Sequence, residues 1–328
     1  MPSQGQNRQP SFAAALIVVL VCTLVAALYA GWRGYGGRAL FACVIAFAIF
    51  FAGVALPAGR GVTEAGRRVL PPPIAWLLAV PILLAWAAYA FNTGSFSAWN
   101  AAIVCAYVLV PLAILSLSEG APGTNVLDYV ALLVLALPVK LLLLQPLWPY
   151  PKAQLAYTFS MLLAMNVGIA AFLFVRRLDG AGYWIGWGKN WAFFIVAGFL
   201  AVAAVDIPAG RALGFLHWAP GRAGWTSLPL WALAIFFFTA WPEEFLFRGL
   251  LQNLVSKSTR NDMGAWILAS VIFGLAHIRN GGFWNWKYAV LATFAGFCYG
   301  WVWRRTGSIF GSAIVHCAVD VTWHALFR

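Results

Sequence analysis

Residues 227–252 read "SLPLWALAIFFFTAWPEEFLFRGLLQ", an apolar stretch that holds two adjacent carboxylates, Glu243 and Glu244, and one guanidinium, Arg248. A helix of about 20 predominantly apolar residues crosses the hydrocarbon of a bilayer, so the stretch reads as a membrane span. Similar windows recur on both sides of it, at 12–31, 39–57, 74–91, 99–117, 126–148, 155–175, 190–205, 263–278, 287–303 and 308–327. The segments 190–205 and 263–278 are short enough to be tilted, broken or partly re-entrant. Backbone polar groups in hydrocarbon must be satisfied internally, and the period-two alternation of a barrel strand is missing, which leaves helices as the spanning element. The expected fold is all-α, a polytopic transmembrane helical bundle of about eleven spans.

Composition agrees. Of 328 residues, 63% are hydrophobic and 9% charged, far from the balance of a soluble domain. The connections are short and cluster Pro, Gly and Arg, as in "PAGRGVTEAGRRVLPPP" (57–73), so no soluble domain fits between spans. The first apolar run is too long for a signal-peptide core and reads as a retained span after a polar start, residues 1–10. A break at "SEGAPGTN" (118–125) divides an N-terminal bundle of unassigned role, 1–125, from a C-terminal bundle, 126–328.

The net charge of +12 reads as Lys and Arg at span ends facing anionic headgroups, and the partner it implies is the lipid bilayer, with no nucleic acid. Five cysteines fall inside spans without a close pair and read as small buried hydrophobes. Many of the 18 tryptophans stand near span ends, where they suit an interfacial belt.

Ionisable side chains inside a membrane are costly and mark function. Here they gather in the last spans: Glu243, Glu244 and Arg248 in one, His277 in the next, His316, Asp320 and His324 in the last. Glu244 and Arg248 stand four apart and can neutralise each other on one helical face, but that pair leaves Glu243 and two histidines without a reason. His316 and Asp320 are also four apart, a spacing at which a carboxylate fixes the tautomer and orientation of an imidazole. At about 1.5 Å of rise per residue, Glu243, His277 and His316 lie roughly 15, 21 and 12 Å from one membrane side, close enough to meet at one level. Pro242, just before the acids, is expected to loosen the helix there. His217 falls in a loop, and Lys140, inside the span 126–148, either snorkels or lines a substrate path.

Three patterns then stand in order over about 80 residues: "EEFLFR" (243–248) as E-E-x-x-x-R, "FGLAH" (273–277) as F-x-x-x-H, and "HCAVD" (316–320) as H-x-x-x-[N/D]. Together they resemble the CPBP family of intramembrane proteases, which includes the type II CAAX prenyl endopeptidases. The resemblance implies a hydrolase cavity within the bilayer, in which Glu243 is the general base on a water and His277 and His316 hold that water or the oxyanion. It implies that Glu244 and Arg248 support the first carboxylate, with Glu244 able to share the catalytic work. Asp320 occupies a position that is often Asn in the prenyl-endopeptidase branch. The substrate implied is a membrane-anchored protein or lipidated peptide.

Two histidines and an acid can also be read as a two-His-one-carboxylate metal site. The expected cofactor is therefore none, or one divalent metal such as zinc held by Glu243, His277 and His316. The other function classes open to these residues are a non-catalytic immunity or scaffold protein of the membrane and a transporter using buried acids as a proton relay. The additional N-terminal spans point by analogy to a specialised branch in a bacterial inner membrane.

Overall fold

A computed structural model describes residues 12–118, 123–221, 224–282 and 284–328. The polar start at 1–10 and the middle of the 118–125 break, residues 119–122, lie outside the described residues. Those described form twelve helices and no strand. One isolated antiparallel bridge pairs Trp218 with Phe327.

Eight of the eleven apolar windows become helices long and apolar enough to cross a membrane. The other three differ in identifiable ways. Window 126–148 yields Val126–Lys140, of 15 residues, and window 263–278 yields Asp262–Leu275, of 14. Window 287–303 forms the 21-residue helix Trp286–Thr306, whose Trp, Tyr, Thr and Gly, with Lys287, Arg304 and Arg305, lower its hydropathy. The segment expected at 190–205 is neither short nor broken: it runs as Trp191–Ala212, 22 residues long.

The chain divides into two compact units, Met1–Asp179 and Gly180–Arg328. This boundary falls later than the break at 118–125, because the helices between 126 and 175 pack within the first unit. That unit holds α1 (Ala13–Trp32), α2 (Gly37–Ala55), α3 (Val62–Val69), α4 (Pro72–Asn92), α5 (Ala98–Ser116), α6 (Val126–Lys140) and α7 (Ala156–Val175).

Exposure separates the roles of these helices. Leu16, Leu20, Leu24 and Leu28 of α1 repeat every four residues and are all exposed, a single apolar stripe suited to lipid. Helix α7 is apolar on every face and buried on nearly every face, as expected of a central helix. It carries Phe159, which stacks on Phe47 at 4.6 Å and on Trp148 at 4.7 Å between ring centroids. Its buried Asn166 donates to the carbonyls of Phe50 and Leu162 at 3.1 and 2.8 Å, satisfying an amide that would otherwise be costly in this core. Arg176 pairs with the buried Asp128 at 2.7 Å and ties the end of α7 to the start of α6.

The second unit holds α8 (Trp191–Ala212), α9 (Trp225–Thr259), α10 (Asp262–Leu275), α11 (Trp286–Thr306) and α12 (Ile309–Leu326). Helix α11 packs against α8, α10 and α12, while α9 packs against α10 and α12. Their shared core joins Val202, Phe247, Phe273, Ala295, Tyr299 and Val315. The helix starts are set locally, since Asn261, Asn285 and Ser308 each accept a backbone N–H of the first turn of α10, α11 and α12. Gly307, at φ +68°, closes α11 in the left-handed conformation that glycine adopts without strain.

Candidate active site

Helix α9 changes its winding where the acids stand. Trp241–Glu244 is a short α-helical segment between two π-helical ones, Phe236–Ala240 and Phe245–Gln252. Pro242 has no N–H to give the preceding turn, and wide turns of this kind recur at functional sites. The loosening expected at Pro242 takes this form.

Adjacent residues on a helix point about 100° apart, and the two glutamates accordingly meet different partners. Glu244 is fully buried, and its Oε1 lies 3.2 Å from Arg248 Nη1 and 3.0 Å from His316 Nδ1. Arg248, also fully buried, donates from Nη2 to the carbonyl of Gly296 at 2.8 Å. Its guanidinium stands 4.6 Å from the centre of the Phe273 ring and 5.5 Å from that of Tyr299. Ion pair, hydrogen bond and ring contacts together offset the desolvation of a charge held out of water.

Glu243, 6% exposed, faces His277, with 3.8 Å between Oε2 and Nε2. That separation exceeds a direct hydrogen bond and suits a shared water. His277 stands just past the end of α10, in a turn, with its ring 4.7 Å from that of Phe273. Its Nδ1 lies 2.8 Å from the Phe273 carbonyl. A carbonyl only accepts, so Nδ1 carries the proton, and Nε2 is turned toward Glu243.

His316 occupies the opposite arrangement. Its Nδ1 is on Glu244, its Nε2 lies 3.6 Å from Asp320 Oδ2, and its ring stacks on Tyr299 at 4.6 Å and 16°. The ring can offer an N–H to both carboxylates only when doubly protonated. The pairings expected for Glu244 with Arg248 and for His316 with Asp320 are both present, and the Glu244–His316 contact, between distant segments, is additional.

The three residues considered for a metal divide between two clusters. His277 pairs with Glu243, whereas His316 commits one nitrogen to Glu244 and turns the other to Asp320. Among the described residues, no three His, Cys, Asp or Glu side chains converge in a geometry that holds a metal ion.

His277, His316 and Asp320 border a cavity of about 80 Å³, room for several waters at roughly 10–15 Å³ each on this measure. Asp206, on α8, lines the same cavity. Asp206 lies one residue beyond the apolar window 190–205, and its signal in the sequence is a lone acid in "AVAAVDIPAG" (201–210). His324 is exposed and packs near Trp231, at 5.9 Å between rings, without lining the cavity. His217 is exposed and exchanges backbone hydrogen bonds with Arg328. Lys140 closes the last turn of α6.

Residues 225–322 match the family model of the Rce1-like type II CAAX prenyl endopeptidases. Comparisons with curated proteins and with solved structures find no match. The match spans α9 to α12 and all three motifs, at 243–248, 273–277 and 316–320, on which the resemblance to the CPBP proteases rested. The C-terminal part of this multi-pass membrane protein is therefore an Rce1-like domain, of a family of membrane endopeptidases.

Proposed function

We propose that this domain is a metal-independent intramembrane endopeptidase in which Glu243 activates water to hydrolyse a peptide bond of a membrane-anchored protein or lipidated peptide. The observation that carries the reading is the unequal surroundings of the two acids. Glu244 is paired directly with Arg248 and His316, whereas Glu243 stands 3.8 Å from His277 Nε2, the separation of a shared water. Pairs of titratable groups set apart in this way divide into a base and its support.

Water held between Glu243 and His277 gives a proton to Glu243 as its oxygen adds to the substrate carbonyl carbon. His316 edges the cavity with Nε2 3.6 Å from Asp320, a separation that lets its N–H pass to the carbonyl oxygen as that oxygen gains charge, while Glu244 holds the ring at Nδ1. Collapse of the tetrahedral intermediate breaks the C–N bond, and Glu243 returns its proton to the departing amine. Arg248 touches none of the reacting atoms; it positions Glu244. A bacterial inner membrane is the setting we propose for this reaction.

The test is a peptidase assay with the purified full-length protein in liposomes, using membrane-anchored peptide libraries, with and without a chelator. Cleavage that survives chelation is expected. Cleavage abolished by chelation and restored by zinc would overturn the metal-independent mechanism, and a protein that cleaves no peptide would overturn the peptidase reading.

A further inference from the structure

Beyond the groups assigned to hydrolysis, the cavity holds an acid and a set of aromatic rings that the reaction does not use. Asp206 contributes one carboxylate to the wall, and its Oδ1 is buried with no hydrogen-bond partner among the described residues. Buried carboxylate oxygens in folded proteins nearly always have a donor, so this one is placed to receive a donor from outside the chain. Beside it, Phe215, Tyr288 and Trp323 form a continuous aromatic wall, with ring centroids 5.3, 5.4 and 5.0 Å apart. No lysine or arginine lines the cavity among the described residues. A carboxylate beside several aromatic rings in an otherwise largely apolar wall selects a cation, because the acid supplies charge and aromatic rings attract cations to their faces. The wall adjoins the proposed hydrolytic centre, since Tyr288 lies 5.0 Å from the His277 ring.

We infer that this cavity is a subsite for a cationic side chain, and that the substrate carries a lysine or arginine close to the scissile bond, bound by Asp206 against Phe215, Tyr288 and Trp323. The inference rests on the peptidase reading for the place of that cation in a substrate, while the cation preference of the cavity can be measured without turnover. Asp206 is then a specificity-determining residue on α8, a helix outside the three motifs.

The experiment uses two pools of palmitoylated peptides, identical except that each lysine of one is norleucine in the other. All are N-acetylated, so that the amino terminus cannot supply the cation. Phosphatidylcholine vesicles avoid the general attraction of lysine to anionic lipid. Cleavage is measured for the wild-type protein, Asp206→Asn and Asp206→Glu, and binding of the same pools is measured with and without Asp206→Asn in a Glu243→Gln background. Each variant's melting midpoint is recorded beside these.

The expected result is a lysine-over-norleucine preference of about tenfold or more in the wild type. It should fall to near one in Asp206→Asn and be partly recovered in Asp206→Glu. An equal preference in wild type and Asp206→Asn would overturn the subsite, as would a wild type that favours norleucine. If the wild type cleaves neither pool, the peptidase reading fails and the binding arm decides. A lysine preference in binding that Asp206→Asn removes still establishes the subsite, and its absence overturns it.

Discussion

His316 Nδ1 lies 3.0 Å from Glu244 Oε1, joining two residues that are 72 positions apart in the sequence and on different helices. The same oxygen receives Arg248 from one turn further along α9. One carboxylate oxygen thus fastens α12 to α9 at the level of the proposed reaction, while the neighbouring Glu243 is directed to His277. What separates the adjacent acids is their partners, since both are buried in one helix.

Replacing Arg248 by alanine leaves Glu244 in a fully buried position without its guanidinium and deprives the Gly296 carbonyl of its donor. Breaking a buried pair by removing one partner typically costs about 3–5 kcal/mol. Thermal unfolding in detergent should show a clearly lowered midpoint along with lost activity. A midpoint equal to wild type would mean that Arg248 reaches water rather than Glu244.

The His277 ring has two tasks, which a substitution can separate. In His277→Asn the amide can still donate to the Phe273 carbonyl in place of Nδ1, but nothing replaces Nε2 opposite Glu243. The melting midpoint should stay near wild type while kcat falls by about a hundredfold or more. Equal losses of stability and turnover would assign His277 to the scaffold alone.

Gly274 sets how closely α10 approaches α11 and so where His277 stands. A methyl group there would overlap the Thr293 hydroxyl and the Ala289 carbonyl, both on α11. Gly274→Ala should therefore destabilise by about 1–3 kcal/mol. Because it displaces the turn carrying His277, activity at temperatures well below the melting midpoint should fall as well. Unchanged turnover in that variant would show that the α10–α11 spacing does not position the histidine.

The parts legible in the sequence were those written as local patterns. Apolar runs gave the helices, and spacings of four gave the Glu244–Arg248 and His316–Asp320 pairs, because a helix brings such residues to one face whatever surrounds them. The Glu244–His316 bond depends on how α9 and α12 pack, which no local spacing encodes. His277 leaves its helix because α10 ends at Leu275 and the chain turns there, although the apolar run continues to Ile278. The boundary at 179/180 went unread for a similar reason: "SEGAPGTN" looks like a break, but what assigns α6 and α7 to the first unit is long-range packing around buried residues such as Asn166. Asp206 was lost to a window edge, since an acid at the end of an apolar run reads as the water-facing end of a span until the helix is seen to continue to Ala212.

The central claim is that Glu243, and not its neighbour, takes the proton from water. The most direct measurement is the single-turnover cleavage rate of Glu243→Gln, which keeps the side chain's shape and hydrogen-bonding capacity, on protein whose melting midpoint matches wild type. The account predicts a rate lower by about a hundredfold to ten-thousandfold; a rate within about tenfold of wild type would contradict it.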